Sequence, residues 1–300
     1  SFGRMRDILG IPLMPLMTVY DFFIKRALDQ YFYNLYWKSS FILVGTPSGV
    51  TLSPEGAQHG WKSDFQIPNQ ITWEPFFCQE LDWILCDSMR RHYMNDNAGR
   101  TGVLIRGVTR GIEQKDMMTF LKKQARFKGT QGQAICRAEF PLEGALIEAD
   151  LATVDETQIL GTLKSEVLSG AYYLIDYRGY AGYEPGDNVV NILSMGALTT
   201  EAIKASEELL KRGIYANVIV VTSSDLICGN LAHETNYHLL KEVLGLNGNL
   251  HLQNTEAMTS AEVATLAGRR IPVVSVHDGE PGILDNIGSI LGVRQESCAV

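Results

Sequence analysis

Three hundred residues exceed one compact domain, so two α/β domains are expected. With 45% hydrophobic and 20% charged residues, the composition is that of a soluble globular chain. A net charge of −8 argues against a nucleic-acid binder, since phosphate recognition needs clustered Lys and Arg; the basic stretch "FLKKQARFK" at 120–128 reads as a solvated helix face. The cysteines are Cys78, Cys86, Cys136, Cys228 and Cys298, an odd set without a CxxC pair, which implies reduced thiols and a cytoplasmic protein. No Cys/His set has zinc spacing. The apolar "LGIPLMPLMTVY" is too short to span a membrane and is broken by two prolines. The start at Ser1 and the ending "QESCAV", just past an apolar strand, suggest a fragment or a processed chain.

In chain order, "TVYDFFIKRALDQYFYNLYW" at 18–37 reads as a helix, with Val19, Phe22, Phe23, Ala27 and Tyr31 on one stripe. "FILVGT" at 41–46 has the fully apolar character of a buried parallel strand entering a loop. "IPNQITWEP" contains a second short strand. Pro75 is then expected at the first position of the helix "PFFCQELDWILCDSMRRHY", with Phe77, Leu81, Ile84, Leu85 and Met89 as its apolar face. "GVLIRGV" at 102–108 is another buried strand. Strand, helix and strand in alternation imply a parallel sheet with helical crossovers.

"LKSEVLSGAYYLIDY" at 163–177 reads as helix then strand, and the Gly- and Pro-rich "RGYAGYEPGD" at 178–187 as the domain boundary. Beyond it "NVVNILSMGA" is a strand and loop. "TTEAIKASEELLKRG" is a helix with Thr capping its start and Gly213 stopping it. "IYANVIVVT" is a strand, "NYHLLKEVLG" a helix and "IPVVSV" a strand, which makes a second, smaller α/β domain.

Glu55 and His59 stand four apart in a Gly-broken loop that follows a buried strand. Ligand sites in open α/β sheets sit at the carboxyl ends of strands. A histidine there can move a proton near neutral pH, with a carboxylate to orient it; it can equally be a loop histidine bonded to backbone. Tyr20, Phe22 and Phe23 read as core packing or as a stacking platform for a flat heterocycle. His277 and Asp278 read as a strand-to-helix turn, and Asp225 as a cap or turn closure. No phosphate-loop pattern is present.

The strings "PLMTVYDFF", "FILVGTPSGVTLSPEGAQH", "IPNQITWEP" and "NVVNILSMGALTTEAIKASEELLKRGIYANVIVVTSSDL" together resemble the transketolase-like thiamine diphosphate enzymes. Within them the chain looks most like the single-chain, homodimeric type of pyruvate dehydrogenase component. The likeness covers residues 1–110 and 163–297, with 113–160 as an insertion. The resemblance implies a parallel-sheet pyrimidine-binding domain over 1–180 and a transketolase C-terminal-like α/β domain over 188–300. It implies an aminopyrimidine ring stacked on Phe23 with Tyr20 nearby. His59, with Glu55 beside it, would lie over the reactive carbon of the cofactor. The implied reaction is decarboxylation of a 2-oxoacid, pyruvate first among them, with the acyl group passing to a lipoyl carrier.

The implied cofactors are thiamine diphosphate and magnesium. The family's GDG-to-Asn signature for magnesium diphosphate does not occur here, so those ligands are expected in a domain outside this chain. The family's pyrimidine-facing Glu precedes the aromatic segment; no Glu precedes Glu55 here, so it too is expected elsewhere. Between His59 and Ile67 "GWKSDFQ" is four residues shorter than in relatives, at a place that bears on the substrate. The implied partners are a second copy of the chain or a diphosphate-binding domain or subunit, a lipoyl-bearing acyltransferase and a small 2-oxoacid, with neither nucleic acid nor membrane. Two other readings stand beside this one. The first is a transketolase moving a two-carbon ketol unit between sugar phosphates, against which Lys62 is the sole cation at 51–69. The second is a non-catalytic structural or assembly subunit of the same fold.

Overall fold

A computed structural model describes residues 2–48, 69–94, 102–108, 110, 113–127, 155–229, 231, 270–278 and 281–299. The first sheet contains β1 (Leu16–Val19), β2 (Phe41–Ser48), β3 (Gln70–Trp73) and β4 (Gly102–Val108), in the order β1-β2-β4-β3 and parallel throughout. Side chains alternate across it, as the pleat requires. Ile42, Ile71, Trp73, Val103 and Ile105 enter one core, and Leu43 and Leu104 enter another on the opposite face. A short helix α1 (Met5–Leu9) precedes β1, and helix α2 (Leu28–Tyr36) covers that second face through Tyr31 and Leu35, one turn apart.

The helix expected from residue 18 begins only at Leu28. Thr18 and Val19 pair in register with Val44 and Gly45 as part of β1, and a 3-10 turn fills Asp21–Ala27. The β-branched pair meets a waiting strand edge, and that pairing outweighs the helical spacing of the apolar stripe. Helix α3 (Cys78–Tyr93) starts three residues beyond Pro75 rather than on it. The Phe76 N–H donates to the Glu80 side chain at 2.7 Å, so an acidic side chain reaches back over the helix start. Its buried face carries Glu80, Trp83, Ile84, Ser88 and His92, whereas Met89 is exposed. Helix α4 (Gln114–Lys122) lies within the stretch read as an insertion.

The second sheet has the order β5-β7-β6-β8-β9, formed by β5 (Ala171–Ile175), β6 (Val189–Ser194), β7 (Tyr215–Val221), β8 (Val273–His277) and β9 (Gln295–Ala299). All pairs are parallel except β5 with β7. Every residue of β7 is buried, the mark of a central strand covered on both faces. Helix α5 (Glu156–Ser169) precedes β5, and its Ile159, Leu163 and Val167 are fully buried. Because β5 bonds to β7, residues 171–175 lie in the second sheet. The stretch 178–187 is therefore a connection within that sheet, not between the two. Gly179, Gly182 and Gly186 there take positive φ, which serves a tight turn as well as a linker.

Helix α6 (Thr199–Leu210) is entered through a 3-10 turn at Gly196–Leu198, and Leu198, not a threonine, holds its cap position without a side-chain bond. A short helix α7 (Ser224–Ile227) follows β7, and α8 (Ile287–Leu291) joins β8 to β9. One apolar core contains Ile71, Trp73 and Ile105 from the first sheet together with Leu174, Ile192 and Val218 from the second, so the two sheets share their packing. No described helix is long and apolar enough to cross a membrane.

Candidate functional site at the carboxyl edge of the first sheet

Strand β1 ends at Val19, and the 3-10 turn follows at once, with the Phe23 N–H donating to the Tyr20 carbonyl at 2.9 Å. That turn sets both aromatic residues at the carboxyl edge of a parallel sheet, where open α/β folds place their ligands. Tyr20 is exposed and Phe23 half-buried. Their rings meet edge to face, with centroids 5.9 Å apart and planes at 82°. The Arg26 guanidinium lies 4.7 Å from the Phe23 centroid.

Phe23 forms part of the wall of a cavity of about 430 Å³ between the α2 side and strands β1 and β2. Its other walls include Val19, Ile24, Tyr31, Phe41 and Leu43. Tyr31 and Phe41 meet edge to face at 5.4 Å. Volume and apolar lining fall in the range of small-molecule sites, and an aromatic wall suits a flat heterocycle. The structure thus brings Tyr20 and Phe23 together beside a cavity. Glu55 and His59 lie outside the described residues. The chain enters their segment from Ser48, at the carboxyl end of β2, the strand next to β1.

Around this edge lies a set of buried polar residues, of which Glu74, Arg106, Gln70 and Thr72 were not singled out from the sequence. Glu74 and Arg106 form an ion pair at 2.8 Å, each almost wholly buried. Arg106 stands opposite Gly45 in the β2–β4 pairing. The signal was present: an arginine inside the apolar run "GVLIRGV" must find a partner when that run is buried. Tyr31 donates to Gln70 at 2.5 Å, and Gln70 donates to the Thr72 hydroxyl at 3.0 Å. Asp225, expected to cap or close a turn, accepts the Thr72 backbone N–H at 2.6 Å. His277 is the last residue of β8 and is fully buried, next to a buried Asp278; His233 and His238 lie outside the described residues. Among the described residues no group of His, Cys, Asp and Glu side chains is arranged to hold a metal ion.

No family profile matches the chain. Over 174 residues it is 28% identical to the pyruvate dehydrogenase E1 component of Buchnera aphidicola subsp. Baizongia pistaciae, a match covering 48% of this chain and 19% of that protein. Its fold matches a solved transketolase variant from Pichia stipitis with a TM-score of 0.52 at 12% identity, across 95% of this chain and 29% of that one. The chain is thus similar in sequence to a pyruvate dehydrogenase E1 component and in fold to transketolases, which is consistent with the transketolase-like thiamine diphosphate enzymes. A transketolase from Campylobacter jejuni aligns similarly, with a TM-score of 0.50 at 12% identity, over 95% of this chain and 31% of that one. In each case the chain spans less than a third of the relative's length. The parallel first sheet and the mixed second sheet agree with the α/β fold of transketolase C-terminal-like domains.

Proposed function

We propose that this chain supplies the pyrimidine-binding half of a thiamine diphosphate site in a 2-oxoacid dehydrogenase that decarboxylates pyruvate or a close analogue. The observation that carries this reading is Phe23, half-buried at the carboxyl end of β1 and forming part of a cavity wall. The sequence match to a pyruvate dehydrogenase E1 component supports the oxoacid branch. When bound, thiamine diphosphate would supply the electron sink for decarboxylation. The residues of this chain bind and orient it. Phe23 presents a ring face to the pyrimidine, and Tyr20 braces that ring by its edge-on contact. His59 donates a proton or hydrogen bond to the substrate carboxylate or the developing alkoxide, and Glu55 orients the imidazole. Magnesium and the diphosphate are held by a second copy of the chain or by a separate domain or subunit. A lipoyl-bearing acyltransferase receives the acyl group. Among the described residues Cys78, Cys86 and Cys298 are free thiols, which fits a cytoplasmic protein.

The transketolase reading is favoured by one observation, the fold match to transketolases. One assay separates the two. The full-length protein is supplied with thiamine diphosphate, magnesium and either a panel of 2-oxoacids or a panel of sugar phosphates. Consumption of pyruvate, reduced at least a hundredfold by His59→Ala, is the expected result; general acid–base groups contribute on the order of 10²–10⁴ in rate. Ketol transfer without oxoacid consumption would establish the transketolase reading. Binding of thiamine diphosphate with neither reaction would leave the structural-subunit reading.

A further inference from the structure

Strand β3 forms one edge of the first sheet, paired only to β4 among the described strands. An outward backbone N–H of β3 and that of the residue just past it are met by the second sheet's unit. The Glu74 N–H donates to the Thr222 carbonyl at 2.8 Å, and the Thr72 N–H donates to the Asp225 carboxylate at 2.6 Å. An exposed strand edge is thereby covered. From Thr72 the bonding continues inward. Its hydroxyl accepts from the Gln70 side-chain amide at 3.0 Å, and the amide oxygen accepts from the Tyr31 phenol at 2.5 Å. Tyr31, Gln70, Thr72 and Asp225 are all buried. Tyr31 lies in the wall of the same cavity as Phe23.

We infer that Asp225, a residue of the second unit, is a positioning residue for the pyrimidine cavity of the first, acting through Thr72, Gln70 and Tyr31. A buried polar chain with every member bonded rigidifies what it touches. Here it fixes the Tyr31 ring, which in turn abuts Phe41 in the cavity wall. Burial, and after it the nearby charge of Asp225, push the Tyr31 phenol well above its ordinary range, so the hydroxyl stays a donor to Gln70. The unit that carries no cavity residue nevertheless sets the cavity's shape. This inference rests on the reading of the cavity as a thiamine diphosphate site.

The test is calorimetric titration with thiamine diphosphate of the full-length protein, with magnesium and in the assembly that holds the diphosphate. Asp225→Ala should weaken binding about tenfold, the scale of losing a charge-assisted hydrogen bond. Asp225→Asn, which can still accept from Thr72, should restore affinity to within about twofold. Gln70→Met leaves the Asp225–Thr72 bond in place and should match Tyr31→Phe. Asp225→Ala combined with Tyr31→Phe should bind no more weakly than the weaker single variant. Unchanged affinity in a folded Asp225→Ala, or losses that multiply in the double variant, would overturn the inference. Wild-type protein that fails to bind thiamine diphosphate would instead overturn the cavity reading. The relay is then read from urea unfolding of the same four-protein cycle: coupling between Asp225 and Tyr31 beyond error sustains it, and strict additivity removes it.

Discussion

Glu80 is the clearest case of a single residue whose chemistry depends on where the chain puts it. It accepts from the Tyr172 hydroxyl, which belongs to β5, and from the Phe76 N–H, so it ties α3 to the second sheet. Burial pushes its carboxyl up to about 7, against the bonds from Tyr172, Phe76 and Phe77, which pull the other way. Its folded pKa is raised above the unfolded value near 4.5, so the folded state holds the proton more tightly. Stability from this group is therefore full below about pH 4.5 and is lost as pH rises through about 7. Urea unfolding between pH 5 and pH 8 should show a fall of roughly 3 kcal/mol that Glu80→Gln largely abolishes. An equal fall in Glu80→Gln would assign the titration elsewhere.

At the scale of elements, the two sheets meet strand end to helix start. Gly196, in the turn between β6 and α6, has φ of +62°, and a Cβ there would come 2.0 Å from the Glu74 carboxylate oxygen. The carboxylate that pairs with Arg106 thus packs against the entry to α6. Gly196→Ala meets two costs, a left-handed backbone and a displaced buried ion pair. Together they should lower stability by about 2–4 kcal/mol in chemical denaturation. Much of this level was legible in the residues. "GVLIRGV" is β4 residue for residue, and "FILVGT" lies within β2, because fully apolar runs between turn signals have few other uses. The extent of β1 was not legible, since Thr18 and Val19 fit either period until β2 supplies a partner. Nor was the role of 178–187, since Gly and Pro mark a turn but not which sheets it joins.

Over the whole molecule, the side bearing the amino-terminal segment is unusually apolar. Ile8, Leu9 and Ile11, then Leu16 and Met17 of β1, then Tyr33, Tyr36 and Trp37 at the end of α2 are all exposed. The Arg4 guanidinium donates to the Trp37 carbonyl, and the Ser40 N–H to the Gly3 carbonyl, so the segment lies beside that helix end. Strand β1 is also an outer strand of its sheet among the described residues. Apolar surface of this extent is the kind that associating proteins cover. Sedimentation velocity should show self-association or capture of the diphosphate-binding partner. Met17→Lys with Trp37→Glu should shift the chain toward a monomer without changing its melting temperature by more than a few degrees. A monomer in the unaltered protein and in a mixture with that partner would refute this use of the face.

By itself the sequence determined the α/β class, the parallel strands of the first sheet and the resemblance carried by "FILVGTPSGVTLSPEGAQH" and its companions. Those follow from local patterns: apolar runs, turn residues and strings of matched identity. It also marked Phe23 and Tyr20 as aromatic residues with two readings, core or platform. The tertiary structure decided between neighbours that the chain order leaves apart. It put Phe23 at a strand end beside a cavity, joined β5 to the second sheet, paired Arg106 with Glu74, and set Asp225 against the edge of β3. Thr72 and Asp225 lie 153 residues apart, and no periodicity or composition records a bond over that separation. Such a bond arises only when packing removes water from both groups and brings them within reach of each other.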